Sequence, residues 1–432
     1  MFLKKFWLAS LIGNVAIAAN AADSALGFNL PDNLAFSFFG TAGYAASNQD
    51  YAYNQIDNTG TFDADSRIGA QLDWQISARF SFILQGELSP SLKDDHRWRP
   101  RLPWALLSYR ATDNWELKIG RSRLPALLYS QNGNVGMSYV SARLPVEVYG
   151  LSPTFEYNGI SSSYSWDVGE DGMKSITWDF YGGMSNFWQR VWFRTNPQTL
   201  QEGANHYARR LNVVGTFFTY EDAMENNILR TGLHYVAVKN RDNVPFLKRN
   251  EVVTLPTGFQ VYMPKDGETT PKVKFLLFGV LGDWHLGNGV YASGEFGVRR
   301  AMNMLSGMQT RAFYVQLRKN IHHFTPYVSW GFSKSDSKPS RVYAAMLRNS
   351  GVPQFALYDA LNRISADAML MANQYTVAIG TAYDIGNNHR LKVEYAHTRL
   401  GLGSALLDQP LSMPSVEGQG ISVFSASYNF LF

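Results

Sequence analysis

The chain has 432 residues, a formal net charge of +4, no Cys, 14% aromatic and 17% charged residues. So even a balance excludes a partner held by bulk electrostatics, nucleic acid above all, and the missing Cys excludes a disulfide framework. Length alone allows two or three soluble domains, so fold class is decided by how the apolar residues are spaced.

At the amino end Lys4 and Lys5 precede an apolar run from Phe6 to Ala18, and Ala19-Asn20-Ala21 follows as an A-x-A site. That order predicts an export signal over residues 1–21, cleaved to leave residues 22–432 in the periplasm. The apolar run, about 13 residues, is shorter than the roughly 20 a membrane helix needs. Beyond it the longest apolar stretch is Phe275 to Leu281, which excludes a helical membrane protein.

From Leu34 onward, segments of about ten residues alternate at period two, the signature of strands with one apolar and one wet face. Ile68, Ala70, Leu72, Trp74 and Ile76 alternate with Gly69, Gln71, Asp73 and Gln75. The same dyad runs through Ile176, Trp178 and Phe180, through Tyr375, Val377 and Ile379, and through Leu391, Val393 and Tyr395. About 16 strands are predicted, the first over Leu34–Ala46 and the last over Gly420–Phe432. Among them are Trp104–Arg110, Ser175–Ser185 and Arg209–Tyr220. Fourteen or eighteen strands stay open, because the segments near Arg209 and Val273 are apolar on both faces.

Connection lengths separate a barrel from a sandwich. Every second connection is short and carries turn residues, as in Thr112-Asp113-Asn114, Gly287-Asn288-Gly289 and Gly386-Asn387-Asn388. The intervening ones are long, including Leu124–Pro153, Asn240–Lys272 and Lys334–Ala372. Short turns on one rim and long loops on the other predict an all-β, transmembrane antiparallel barrel with periplasmic turns and extracellular loops. At the carboxyl end Phe424, Tyr428, Phe430 and the terminal Phe432 alternate with Val423, Ser425, Ser427 and Asn429. This tail resembles the last strand by which Gram-negative outer-membrane proteins are recognised and inserted.

With its signal, strand count, long third loop and terminal Phe432, the chain resembles the Gram-negative outer-membrane porins over its whole mature length. The resemblance implies passive diffusion of small hydrophilic solutes and ions through a water-filled channel in the cell outer membrane. It also implies a constriction formed by the third loop, 124–153, and a homotrimer. Outer-membrane lipid, lipopolysaccharide and the barrel-assembly machinery are the further partners, with no cofactor. One departure stands out. Porin third loops carry acids facing a basic ladder, whereas between Gly120 and Gly150 this chain has Arg121, Arg123 and Arg143 and only Glu147. Those four, with Tyr129 and the inner-face Arg67, Arg110 and Lys118, are the candidate pore-constriction residues. They predict a weak preference for anions. Parity also puts Arg230, Arg318, Arg390, Lys392, Asp73, Glu87, Glu116, Asp179, Glu295 and Glu394 on the inner face, a wall of mixed sign.

Three rival readings are set against this. A substrate-specific sugar or anion channel would use Trp98, Trp104, Tyr129, Tyr139 and Tyr149 as an aromatic slide. An outer-membrane enzyme finds little support: His96 follows Asp94-Asp95 in a charged loop tip, His322-His323 lies in a short turn, and no nucleophile motif appears. No catalytic or metal site is therefore expected. A hydrophobic-ligand transporter needs a hatch before the first strand, for which Ala22 to Asn33 is too short.

Overall fold

Period-two alternation closes into one cylinder. The computed structural model describes residues 31–432 apart from 92–96, 151, 153, 170–171, 200, 249 and 305–308. The predicted signal, residues 1–21, and the loop tip Asp94-Asp95-His96 lie outside the described residues.

Nine strands come first: β1 (Leu34–Ser47), β2 (Arg67–Gln75), β3 (Phe80–Ser91), β4 (Arg97–Arg110), β5 (Trp115–Arg123), β6 (Glu156–Val168), β7 (Lys174–Phe193), β8 (Gly203–Asp222) and β9 (Asn227–Asn240). Four short strands, β10 (Phe246–Leu247), β11 (Asn250–Thr254), β12 (Gln260–Pro264) and β13 (Thr269–Thr270), form two small sheets in one loop. Seven more complete the wall: β14 (Val273–Gly287), β15 (Val290–Ala301), β16 (Thr310–Lys319), β17 (Phe324–Ser335), β18 (Ala372–Ile385), β19 (His389–Ser404) and β20 (Gly420–Leu431). Each of these sixteen pairs antiparallel with its neighbour in sequence, and β20 returns to β1, with Phe39 opposite Leu431 and Ala42 opposite Tyr428. The predicted count of sixteen holds.

Strand parity decides which side chain meets which medium. Ile68, Ile119, Ile160, Val214, Val280, Leu317, Ile379 and Val393 point outward and are exposed, whereas Gln85, Ser108, Ser163, Ser293, Gln316 and Ser425 point inward and are buried. Near the short-turn rim the outer surface carries Trp74, Trp115, Trp178 and Trp284. The indole N–H of Trp115 donates to Ser162 Oγ at 2.9 Å and that of Trp178 to Thr216 Oγ1 at 2.8 Å. Amphipathic rings with satisfied N–H groups suit the boundary between hydrocarbon and headgroups. An apolar surface this extensive is a lipid-facing surface.

Turn chemistry closes the short-turn rim. Asn288 (φ 53°) and Gly289 (φ 72°) link β14 to β15 in the left-handed region, which lets a two-residue hairpin follow the sheet's twist. On the opposite rim the loop between β17 and β18 folds into helices α2 (Ser337–Met346) and α3 (Ala356–Asp367). Asn362 of α3 is fully buried; its Oδ1 accepts the Tyr262 N–H at 2.8 Å and its Nδ2 donates to Gln260 O at 3.0 Å. These bonds seat α3 on β12.

Three strands run far beyond the predicted spans. β4 starts at Arg97 rather than Trp104, because Pro100 and Pro103, which cannot donate to a ladder, lie where β4 pairs only with β3. β7 and β8 each span 20 residues. The segments near Arg209 and Val273 are apolar on both sides because their inward residues, Leu211, Val213, Phe217, Val273 and Phe275, pack together with Tyr181 and Val236 in an apolar cluster.

Candidate functional site

Residues between β5 and β6 do not stay at the rim. At the base of this segment Arg123 Nε donates to Ser130 O at 2.7 Å, and Ser130 Oγ donates to Leu124 O at 2.6 Å. That tight turn aims the chain inward. From there it meets inward-facing side chains around most of the circumference, so the segment lies within the cylinder.

Contacts on β3, β15, β18 and β19 help anchor it. On β3, Glu87 Oε2 and Gln85 Oε1 accept from Asn134 Nδ2 at 2.9 and 2.7 Å. On β15, Glu295 Oε2 accepts the Leu128 N–H at 3.0 Å, and its Oε1 accepts the Tyr149 hydroxyl at 2.7 Å and the Tyr314 hydroxyl at 2.9 Å. On β19, Lys392 Nζ donates to Gly136 O at 2.6 Å and Ser141 O at 3.1 Å, and lies 3.8 Å from the Tyr139 ring centroid. On β18, Gln374 Nε2 donates to Glu147 Oε1 at 2.9 Å, and the Thr376 hydroxyl donates to the same oxygen. Gln374 also donates to the Tyr53 hydroxyl at 2.5 Å. Burial and then the nearby Glu147 carboxylate push the Tyr53 phenol well above its ordinary value, so it stays neutral there.

Helix α1 (Val146–Tyr149) follows Pro145 and carries Glu147 and Tyr149 to these partners. Gly136 lies close against the wall: a Cβ there would lie 1.9 Å from Asn429 Oδ1 and 2.6 Å from Thr41 Oγ1. Gly136→Val is therefore expected to lift this stretch off β1 and β20 while the barrel still forms. Limited proteolysis within 124–150, resisted by the parent and cut in the variant, is the check.

The candidate constriction residues separate into four groups. Arg67, Arg143 and Glu147 line one cavity, Arg143 as the ion-pair partner of Asp65 at 3.0 Å. Arg123 and Tyr129 build the segment itself; Tyr129 packs against Tyr139 at 5.8 Å between centroids. Arg121 departs from expectation. It shares the outward parity of Ile119, pairs across with Asn158, and donates from NH2 to Glu156 Oε2 at 2.6 Å. Arg110 and Lys118 also lie apart: Lys118 pairs with Glu116 at 2.8 Å, five positions down β5 from Arg123, and Arg110 ends β4 at the short-turn rim. Counting parity from the apolar Ile119 was the available signal for Arg121. The anchors Asn134, Lys392 and Gln374 carried no signal as a set, since their segments are distant in sequence.

The cavity has a volume of about 1020 Å³. One side is the 124–150 segment, the other the inner faces of β7, β8, β9, β14 and β15, with loop residues 242–247 and 364–372 at its margin. A loop tie fixes that margin: Arg194, just past β7, donates from Nε and NH2 to Asp367 Oδ1 at 2.9 and 2.6 Å. Beside it burial pushes the Tyr343 phenol up to about 12. Among the described residues there is no group of three His, Asp or Glu placed to hold a metal.

No family profile matches the chain, and no curated protein matches its sequence. Solved structures do match. The outer membrane channel DcaP of Acinetobacter baumannii aligns over 93% of this chain and 99% of its own, at 12% identity and a TM-score of 0.51. OprB of Pseudomonas putida aligns over 93% and 94%, at 11% identity and a TM-score of 0.51. OmpF of Salmonella typhi, in complex with daunomycin, aligns over 93% and 100%, at 11% identity and a TM-score of 0.50. The shared feature is the fold, a porin-type closed barrel.

Proposed function

We propose that this chain is an outer-membrane channel through which small hydrophilic solutes diffuse passively. The observation that carries the reading is a closed sixteen-strand wall, apolar outside and polar over most of its inside. Eight strands would be filled by their own side chains, whereas sixteen leave an aqueous bore. In this reading the 124–153 loop narrows the bore, and the chain works as a homotrimer inserted by the barrel-assembly machinery among lipopolysaccharide.

A weak anion preference belongs to the same proposal. The carboxylates of Glu87, Glu147, Glu295 and Glu394 each accept hydrogen bonds from the loop or the wall. Among the described residues neither Arg67 nor Arg209 has a carboxylate at ion-pair distance, and both line the cavity. Planar-bilayer recording tests both parts. Ohmic steps in KCl, with a reversal potential under a salt gradient of the sign for chloride, are expected. Absence of steps overturns the channel, and a potassium-side reversal overturns the anion preference.

A further inference from the structure

The cavity wall concentrates apolar residues that elsewhere on the inner face are mixed with Ser, Thr, Gln and charged groups. Phe187, Leu211, Val213, Val236, Val273 and Phe275 project into the barrel from β7, β8, β9 and β14 as one cluster. These side chains pack against one another and against Leu124, and the edges that reach the cavity give it an apolar lining that a well-hydrated solute gains nothing from. The wall is built for a solute with an apolar body. At the loop end of the same wall sits Arg209. Its guanidinium lies 4.7 Å from the Tyr207 ring centroid and 4.9 Å from that of Phe246, and its Nε donates to Gln189 Oε1 at 3.0 Å. Two rings and one hydrogen bond orient the group, and Asp242 at the cavity margin acts on it electrostatically without reaching ion-pair distance, which leaves the terminal nitrogens for a carboxylate that Arg binds through a two-pronged fork.

We propose that the cavity is a binding site for small amphipathic carboxylates, the apolar body resting on the Val213–Val236–Phe275 wall and the carboxylate on Arg209. The volume, about 1020 Å³, is at the upper end of the range for small-molecule sites. The assignment rests on the channel reading above and gives it a substrate class. Transport through such a site saturates, because occupancy of the cavity precedes passage.

The test uses the full mature chain in detergent-free planar bilayers, with 4-phenylbutyrate, its uncharged amide and acetate as probes. Wild type is expected to show saturable current block by 4-phenylbutyrate, about tenfold weaker block by the amide, and none by acetate. Arg209→Gln is expected to remove the advantage of the acid over the amide, with ohmic KCl steps still present and their reversal potential shifted away from chloride. Val236→Thr, a milder change of near-equal volume, is expected to weaken block by both phenyl compounds. Equal block by acetate and 4-phenylbutyrate, or an unaltered acid preference in Arg209→Gln, overturns the site. A protein that gives no KCl conductance at all fails the channel reading instead.

Discussion

Glu295→Leu is expected to enlarge the conductance. This carboxylate is 2% exposed and accepts three donors at once, the Leu128 N–H, the Tyr149 hydroxyl and the Tyr314 hydroxyl. Two of the three belong to the segment between β5 and β6, so losing the acceptor frees that segment and strands its donors. Leaving a buried donor unpaired costs about 1–3 kcal/mol each, so docking weakens by roughly 2–4 kcal/mol once water reaches part of the site. Single-channel steps should rise above wild type and become noisier as the segment visits a displaced state. Glu295→Gln retains one carbonyl oxygen and should fall between the two. Unchanged steps in a correctly folded Glu295→Leu barrel would remove the segment from any part in limiting the bore.

Ile379→Arg and Phe62→Arg should separate sharply. Both parent side chains are 62% exposed, Ile379 at the middle of β18 and Phe62 in the loop after β1. Exposure to water would make the two substitutions equivalent. Exposure to hydrocarbon makes Ile379→Arg cost about 2–4 kcal/mol, while Phe62→Arg stays near zero. Urea unfolding in lipid vesicles, followed by heat-modifiable mobility on gels, reads the difference directly. Equal stabilities would mean that the outer face of β18 does not touch acyl chains.

Most of the fold was legible because a barrel strand encodes its surroundings locally. Trp74 against Asp73 and Ile379 against Ala378 give the parity, and Asn288-Gly289 gives the hairpin. Residues that break the local rule were not legible. Pro100 and Pro103 read as loop, yet they lie in β4 where its second edge is free of β5. Trp188 and Trp192 lie past the end of the predicted Ser175–Ser185 strand, yet β7 continues through them to Phe193. The candidate site was less legible than the fold. Arg67 and Arg143 were within reach of parity and loop composition. Arg209 was not, because its setting is made by Tyr207 beside it and Phe246 from another loop. The apolar inner wall left a trace, the two-sided greasiness near Arg209 and Val273, which blurred the strand count rather than announcing a cavity.

The unequal height of the wall carries a consequence for the cell surface. A strand needs about 9–11 residues to cross the hydrocarbon, and the β7–β8 hairpin has 20 in each arm. Its upper half is a crest on one side of the mouth. Phe187, Tyr207, Arg209 and Leu211 lie in that upper half and line the cavity, so change on the crest's inward face alters what the bore admits, whereas its outward residues vary without that consequence.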